Sequence, residues 1–236
     1  MRDPGQARFR PTIATNGLAS AINLNLAASL AAIFLLAAGG LLAIATLQLG
    51  AITNHMCAHI WLMNVIAPAF ALLMARNGID LPAVSGAGLA AATVAQMTLL
   101  WAAHAPPALH AASASPVLHY FMQVALFASA LWFWCAVLAQ RGAERWRALF
   151  ALLVSGKLFC LLAVLLVFAP RFFYGGHSHS GIDVDQLADQ HLAGLLMLVV
   201  CPLSYVAAAV AIAAQWLREV AAREGAQIPS RTMSVR

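Results

Sequence analysis

Residues 147–169 read RALFALLVSGKLFCLLAVLLVFA, and Lys157 is the only charged residue after the first. A helix of about 20 mainly apolar residues crosses the hydrocarbon core of a bilayer. A backbone in lipid must also satisfy its own hydrogen bonds, which a helix does within one segment. This stretch therefore predicts a transmembrane helix, and apolar runs of similar length recur along the chain.

The composition agrees with a chain that lies in a bilayer. Of the 236 residues, 63% are hydrophobic and 9% are charged, whereas about a quarter of a soluble domain is charged. We predict an all-α polytopic membrane helix bundle that forms a single transmembrane domain over residues 1–236. Its spans, about six in number, are expected at residues 24–49, 52–75, 83–103, 117–139, 147–169 and 187–216.

The basic residues predict the orientation of this bundle. If the N-terminus is cytoplasmic, Arg171 is the only arginine outside, and Lys157 lies within the fifth span. The other basic residues are then inside: Arg2, Arg8, Arg10, Arg76, Arg141, Arg145, Arg147, Arg218, Arg223, Arg231 and Arg236. The positive-inside rule predicts that both termini are cytoplasmic, and we expect a multi-pass protein of the bacterial inner membrane. The net charge of +5 is explained in this way without a nucleic-acid partner.

In this topology all 8 histidines lie on the outer side of the membrane. They are His55, His59, His104, His110, His119, His177, His179 and His191. Imidazole is the commonest metal ligand of proteins, so this asymmetry predicts a metal site that faces the periplasm. A purely structural polar network is the alternative.

The second span carries the strongest candidate ligands. Residues 54–63 read NHMCAHIWLM, and His55, Met56, His59 and Met63 fall within one helical arc of about 100°. Two histidines four residues apart present both imidazoles to one ion. The thioethers favour a soft ion, and Cu(I) is the best match. The same pattern is also that of a helix face packed with methionine and interfacial histidine.

Two further spans bring similar residues to the same level. His119 and Met122 share a face of the fourth span, and the sixth span begins with His191 and Met197. The predicted metal site therefore consists of His55, His59, Met56, Met63, His119, Met122, His191 and Met197, with copper as the ion. Gly194, in the sixth span, is expected to let a neighbouring helix or a ligand approach closely.

Two features lie outside this set. The glycine-flanked loop with His177 and His179, followed by carboxylates, is either a capture point for Cu(II) or Zn(II) or a solvated linker. Lys157 is the one charge deep in a span. Because a lysine at this depth costs on the order of 2.5–3.5 kcal/mol on insertion scales, we expect it to face the interior of the bundle.

The chain resembles the polytopic CtaG-type family, membrane proteins involved in assembling cytochrome c oxidases of the aa3 and caa3 types. The residues that carry the resemblance are His55-Met56-x-x-His59-x-x-x-Met63-x-x-x-x-Pro68, Leu100-Trp101-x-x-His104-x-Pro106, Pro116-x-x-His119, Phe133-Trp134-x-x-Val137-Leu138, Ala169-Pro170-x-x-x-Tyr174 and Asp189-Gln190-x-x-Ala193-Gly194-x-x-Met197. Leu198 departs from the pattern, since family members commonly have tryptophan there.

The resemblance implies a non-enzymatic assembly factor that assists copper insertion into the oxidase. Its partners would be oxidase subunits, a periplasmic copper donor and the lipid bilayer. Binding by histidine and methionine would leave Cu(I) in a neutral environment from which ligands exchange readily.

Other classes of function remain open from the residues alone. A copper transporter should continue its ligands into the inner half of the bundle, where the sequence offers mainly Cys135, Cys160, Cys201 and Lys157. This distribution disfavours transport. A bundle that holds two b-haems would need histidines at two depths, and one depth is populated.

A zinc-dependent membrane hydrolase is the remaining alternative. Catalytic zinc usually has three protein ligands, for which His55, His59 and His191 are candidates, with Asp189 as the base. The methionine-rich surroundings argue against zinc.

Overall fold

The computed structural model describes residues 13–77, 85–173 and 184–232, and it places the side chains of residues 25–77, 85–173 apart from residue 113, and 185–224. All regular secondary structure among these described residues is helical, and none of it is a strand. The elements in chain order are α1 (Ile13–Thr46), α2 (Ala51–Trp61), a π-helical turn (Leu62–Ile66), α3 (Ala67–Arg76), α4 (Gly86–Ala103), α5 (Pro106–Ala114), α6 (Pro116–Ala139), a 3₁₀ turn (Gly142–Glu144), α7 (Arg145–Val167) and α8 (Val184–Thr232).

Within the described residues, 6 segments are long and apolar enough to cross a membrane. They are Asn25–Thr46, Ala51–Arg76, Gly86–Ala103, Pro116–Ala139, Gly142–Val167 and Asp185–Glu224. The prediction of a polytopic helix bundle is confirmed, and each predicted span has its counterpart. The last helix extends further than expected, because residues 217–224 are mostly good helix formers that continue a helix into water.

The connection between the third and fourth predicted spans contains a short helix, α5. Pro106 and Pro107 occupy the first turn of α5. The N–H groups of a first turn have no partner within the helix, so proline loses no hydrogen bond there. The prolines therefore begin a helix here after ending the previous one. His110 lies on α5, and His104 is the residue that ends α4.

The bundle has two chemically different ends. The starts of α2, α6 and α8 and the end of α4 lie together at one end, which we call the histidine end. The opposite end, the arginine end, includes an ion pair of 2.8 Å between Arg145 of α7 and Glu219 of α8. It also includes Arg147, which pairs with Glu144 and lies beside Gly86 of α4.

The π-helical turn between α2 and α3 follows from Pro68. This residue has no N–H to donate, and its ring would clash with the carbonyl four residues earlier. The backbone N–H of Ala67 reaches the oxygen of Leu62, five residues earlier, so the Met63 carbonyl is left without its usual helical partner. The indole Nε1 of Trp134 donates to that oxygen at 3.0 Å. Trp134 thereby ties α6 to the second span.

The core at mid-depth is aromatic and encloses a hydrogen bond. The Tyr205 side chain of α8 is 1% exposed, and its ring lies 5.1–5.7 Å from the rings of Phe133, Trp134 and Phe159. Gln96 of α4 donates through Nε2 to the Tyr205 hydroxyl at 2.7 Å. These contacts join α4, α6, α7 and α8 below the histidine end.

The packing of α7 against α8 depends on small residues. A Cβ at Gly194 would lie 2.8 Å from Cγ2 of Val167 and 3.0 Å from Cβ of Leu166, so the glycine permits the close approach that the sequence suggested. Ser155 and Gly156 of α7 are likewise buried.

Because Ser155 and Gly156 occupy the packed face of α7, Lys157 is turned away from it and lies exposed on the outer surface of the bundle. The expectation that Lys157 faces the interior is therefore wrong. The cost of inserting a charge does not determine which face of a helix packs against its neighbours. In α7 the small residues Ser155 and Gly156 lie on the packed face.

Trp134→Phe should leave the Met63 carbonyl buried without a donor and lower the free energy of unfolding by about 1–3 kcal/mol. Unfolding in mixed detergent micelles, followed by circular dichroism, measures the change. Trp132→Phe is the matched control, because Trp132 lies on the same helix and is 46% exposed. Equal effects of the two substitutions would contradict the role of the indole hydrogen bond.

Candidate metal centre

The first turns of α2 bring His55 and His59 into direct contact. Their Nε2 atoms are 2.7 Å apart, and the ring centroids are separated by 4.1 Å with the planes nearly perpendicular. One Nε2–H donates to the other Nε2, because a short contact between two ring nitrogens needs a proton between them. A cation that binds both nitrogens would have to replace this proton.

His119 and His104 extend the pair into a row of four histidines. The centroid of the His119 ring lies 5.3 Å from that of His55, and the centroid of the His104 ring lies 5.7 Å from that of His59. His119 comes from the first turn of α6, which Ser115 caps by accepting from the N–H of Leu118. Three helices, α2, α4 and α6, therefore contribute imidazoles to one cluster.

Exposure falls along this row. His55 and His119 are partly exposed, whereas His59 is 4% exposed and His104 is 5% exposed. His59 also has an unusual inner nitrogen, since its Nδ1 is buried without a hydrogen-bond partner among the described residues. The cluster thus leads from the accessible end of the bundle to buried nitrogen atoms.

The tautomer of His104 follows from its contacts. Its Nδ1 lies 2.7 Å from the carbonyl oxygen of Leu100, which can only accept, so Nδ1 carries a proton. Burial lowers the pKa of His104, and the hydrogen bond to Leu100 only partly opposes this, so the ring is neutral near pH 7. The lone pair of a neutral ring is then on Nε2.

That Nε2 faces the thioether of Met56, with 3.0 Å between Nε2 and Sδ. The sulfur of methionine is only a weak acceptor, so no hydrogen bond joins it to the unprotonated nitrogen of His104. Two electron-pair donors therefore point at each other in a buried place, since Met56 is 1% exposed. Such a pair is suited to a soft cation, because thioethers and imidazoles both bind Cu(I).

A small cavity of about 10 Å³ lies directly below the buried histidines. Its lining includes His59, His104, Met56, Met63, Met197 and Cys201. The amide Nδ2 of Asn64 donates to Sγ of Cys201 at 3.4 Å. The wall of the cavity thus offers nitrogen and sulfur donors, and its floor includes Phe159.

The structure brings together only part of the predicted ligand set. His55, His59, His119, Met56, Met63 and Met197 lie in the cluster or line the cavity. Met122 instead packs against the hydrophobic core. Nε2 of His191 lies 3.2 Å from the carbonyl oxygen of Ala169, next to the end of α7. His177 and His179 lie outside the described residues.

Reasoning from the sequence did not include His104 among the ligands. A position at the boundary between a span and a connection does not show which way the side chain points. The available signal was the motif Leu100-Trp101-x-x-His104-x-Pro106, because the proline two residues later ends the helix close to the histidine.

Asp189 positions α2 from outside that helix. Its Oδ2 accepts from the N–H of Ile52 at 2.9 Å, and its Oδ1 accepts from the N–H of Thr53 at 3.1 Å. The Thr53 hydroxyl donates to the backbone oxygen of Asp189 at 3.0 Å. A carboxylate at a helix N-terminus binds its unpaired N–H groups and interacts favourably with the helix dipole. Gly50 is required here, because a Cβ at this position would overlap the carboxylate.

Gln190, the next residue, holds the chain that follows α7. Its Oε1 accepts from the N–H of Phe173 at 2.9 Å, and its Nε2 donates to the oxygens of Leu166 and Arg171 at 3.5 and 3.4 Å. The Asp189-Gln190 pair therefore joins α8 both to α2 and to the end of α7.

The family model for the cytochrome c oxidase caa3 assembly factor matches residues 88–219. The chain belongs to this family. The matched region runs from α4 into α8 and includes His104, His119, Asp189 and Met197, whereas His55 and His59 precede it. No curated protein and no solved structure matches the chain.

Asp189→Ala should free two N–H groups at the start of α2 and lower the free energy of unfolding by about 1–3 kcal/mol. Gly50→Ala should have an effect in the same direction, because its methyl group displaces the carboxylate. Unfolding in mixed micelles tests both variants against Gln186→Ala, which changes an exposed side chain of the same helix. If Asp189→Ala is as stable as the control, Asp189 does not hold α2.

Proposed function

We propose that this assembly factor binds one Cu(I) ion at the histidine end and assists its insertion into cytochrome c oxidase. The observation that carries the proposal is the buried contact between Nε2 of His104 and Sδ of Met56, in which two electron-pair donors face each other at 3.0 Å. His59 supplies a third donor at the same cavity. Imidazole and thioether are neutral ligands, so the bound ion would keep a single positive charge, and the ligands would exchange readily.

The donor set favours Cu(I) over zinc. Among the described residues, no group of three or more His, Cys, Asp or Glu side chains is placed to hold one metal ion. The cavity lining adds the thioethers of Met56, Met63 and Met197, which suit copper(I) better than zinc. Asp189 is a poor candidate for a catalytic base, because both of its carboxylate oxygens accept from N–H groups of α2. A zinc hydrolase is disfavoured for these reasons, and the proposed role is not catalytic.

The cluster suggests how copper is loaded and released. His55 and His119 are partly exposed and would receive the ion first. Transfer inward requires the proton between His55 and His59 to leave. The ion would then be bound by His59, His104 and Met56, with Met63 and Met197 on the cavity wall. Release to an oxidase subunit would follow the same path in reverse.

The location of the site argues against transport across the membrane. Below the cavity, the rings of Phe159, Phe133 and Trp134 pack around Tyr205 and fill the centre of the bundle. A translocation path needs polar residues that continue through the membrane.

The excess of arginine at the opposite end supports an orientation in which the histidine end faces the periplasm of a bacterial inner membrane, with both termini cytoplasmic. A periplasmic copper donor would then have access to His55 and His119.

The purified protein should bind one Cu(I) per chain under anaerobic, reducing conditions. Loss of a direct ligand in His104→Ala or Met56→Leu should weaken binding by at least about tenfold, since even loss of an outer-shell partner costs about 10–100-fold. Competition with a chromogenic Cu(I) chelator gives the affinities. X-ray absorption should detect sulfur next to copper, and less of it in Met56→Leu.

His110→Ala and Met122→Leu are the matched controls for this titration, because neither residue lies in the cluster or lines the cavity. Both should bind copper like the wild type. A wild-type protein that takes up no stoichiometric Cu(I), or variants that all bind equally, would exclude the proposed site.

In cells, His55→Ala, His59→Ala or His104→Ala should lower oxidase activity and leave the membrane abundance of this protein near normal. The defect should be in the client, because shortening one side chain at the histidine end leaves the aromatic core intact. Immunoblotting and oxidase assays measure the two quantities, and added copper should partly restore activity by mass action. Loss of the protein itself would favour a structural polar network.

A further inference from the structure

The outer face of α7 carries a charge in the middle of an apolar stripe. Phe150, Leu153, Leu161 and Leu165 lie along this face and are 63%, 51%, 50% and 48% exposed. Lys157 lies between them and is also exposed. It makes no hydrogen bond or ion pair with any of the described residues.

Lys157 is too deep to reach water or lipid headgroups easily. It follows Arg145 by about 18 Å of helix and precedes Val167 by about 15 Å, at 1.5 Å per residue. The neighbouring Gly156 packs beside Pro202 and Tyr205, which belong to the central part of the span Asp185–Glu224. A lysine at this depth is unfavourable in lipid, and such residues pair with other groups or line cavities.

The described spans of a second copy of this chain offer no suitable group to pair with Lys157. The acidic residues of the six described spans lie toward the ends of those spans: Glu144, Asp185, Asp189, Glu219 and Glu224. Glu219 and Glu144 already pair with arginines. No carboxylate of the described spans is therefore at the depth of Lys157.

We propose that the Lys157 face of α7, defined by Phe150, Leu153, Lys157, Leu161 and Leu165, docks a transmembrane helix of another protein that carries Asp or Glu at mid-depth. The family of the chain makes an oxidase subunit during assembly the partner. The buried ammonium–carboxylate pair neutralises both charges in the bilayer and sets the depth of the two helices. The apolar residues on either side pack against the partner.

The surroundings provide space for such a helix. A groove of about 630 Å³ between α4 and α7 continues the face toward the arginine end, and its lining includes Val94, Trp146, Phe150 and Val154. The docking face is separate from the proposed copper site, because Phe159, which lines the copper cavity, points to the opposite side of α7.

Photo-crosslinking in intact membranes tests this proposal. Benzoylphenylalanine placed at Leu153 or Leu161 should crosslink to a peptide of an oxidase subunit, and mass spectrometry should identify an apolar segment with a central Asp or Glu. Leu203 is the control position, because it is 66% exposed on α8 and adjoins Pro202, which packs at the depth of Gly156. Crosslinks only to lipid, only to this chain, or equally from Leu203 would overturn the proposal.

Variants at Lys157 test the role of the charge. Lys157→Leu should reduce the crosslink from Leu161 by about fivefold or more, the loss expected for one interhelical polar contact, whereas Lys157→Arg should retain it. Lys157→Leu removes an unfavourable charge, so its own insertion should not suffer. Its copper binding should equal that of the wild type, which separates this proposal from the copper site. An undiminished crosslink in Lys157→Leu would show that the charge is not recognised.

Discussion

The histidine end depends on one carboxylate. Asp189 of α8 accepts from two N–H groups at the start of α2 and accepts the Thr53 hydroxyl at its backbone oxygen. Because these bonds hold the first turn of α2, they also set the rotation of the helix that carries His55 and His59. In a bilayer the unpaired N–H groups of a helix terminus have few alternative partners. The position of the imidazoles is therefore a consequence of how the last span meets the second.

A second constraint acts at the other side of the cluster. Pro68 imposes the π-helical turn, and Trp134 of α6 binds the carbonyl of Met63 that the turn leaves unpaired. The histidine and methionine side chains of the second span lie between these two attachments, one to α8 and one to α6. Met56 lies between them, in contact with His104. The nitrogen and sulfur donors of this contact make the site a candidate for a soft cation.

The two faces of α7 have different surroundings. On the packed side, Phe159 closes the cavity below the histidines and contacts Tyr205. On the outer side, Lys157 interrupts an apolar surface. Polar groups within a membrane are expected to find partners inside the protein, and the side-chain N–H groups of Gln96, Asn64 and Trp134 do so. Lys157 makes no such contact with the described residues, and for this reason we propose a partner helix for it.

The sequence by itself determined the helical spans and the shared arc of His55, Met56, His59 and Met63, because both follow from hydropathy and from the period of one helix. The order of its short motifs was sufficient for the family. Only the tertiary structure decided that His104 points at Met56, that Asp189 caps α2, that His191 and Met122 have other contacts, and that Lys157 faces outward. Helical periodicity relates residues within a span, but which faces of different spans meet depends on packing. Here Gly156 and Gly194 permit a close approach of α7 and α8, and Lys157, next to Gly156, faces outward.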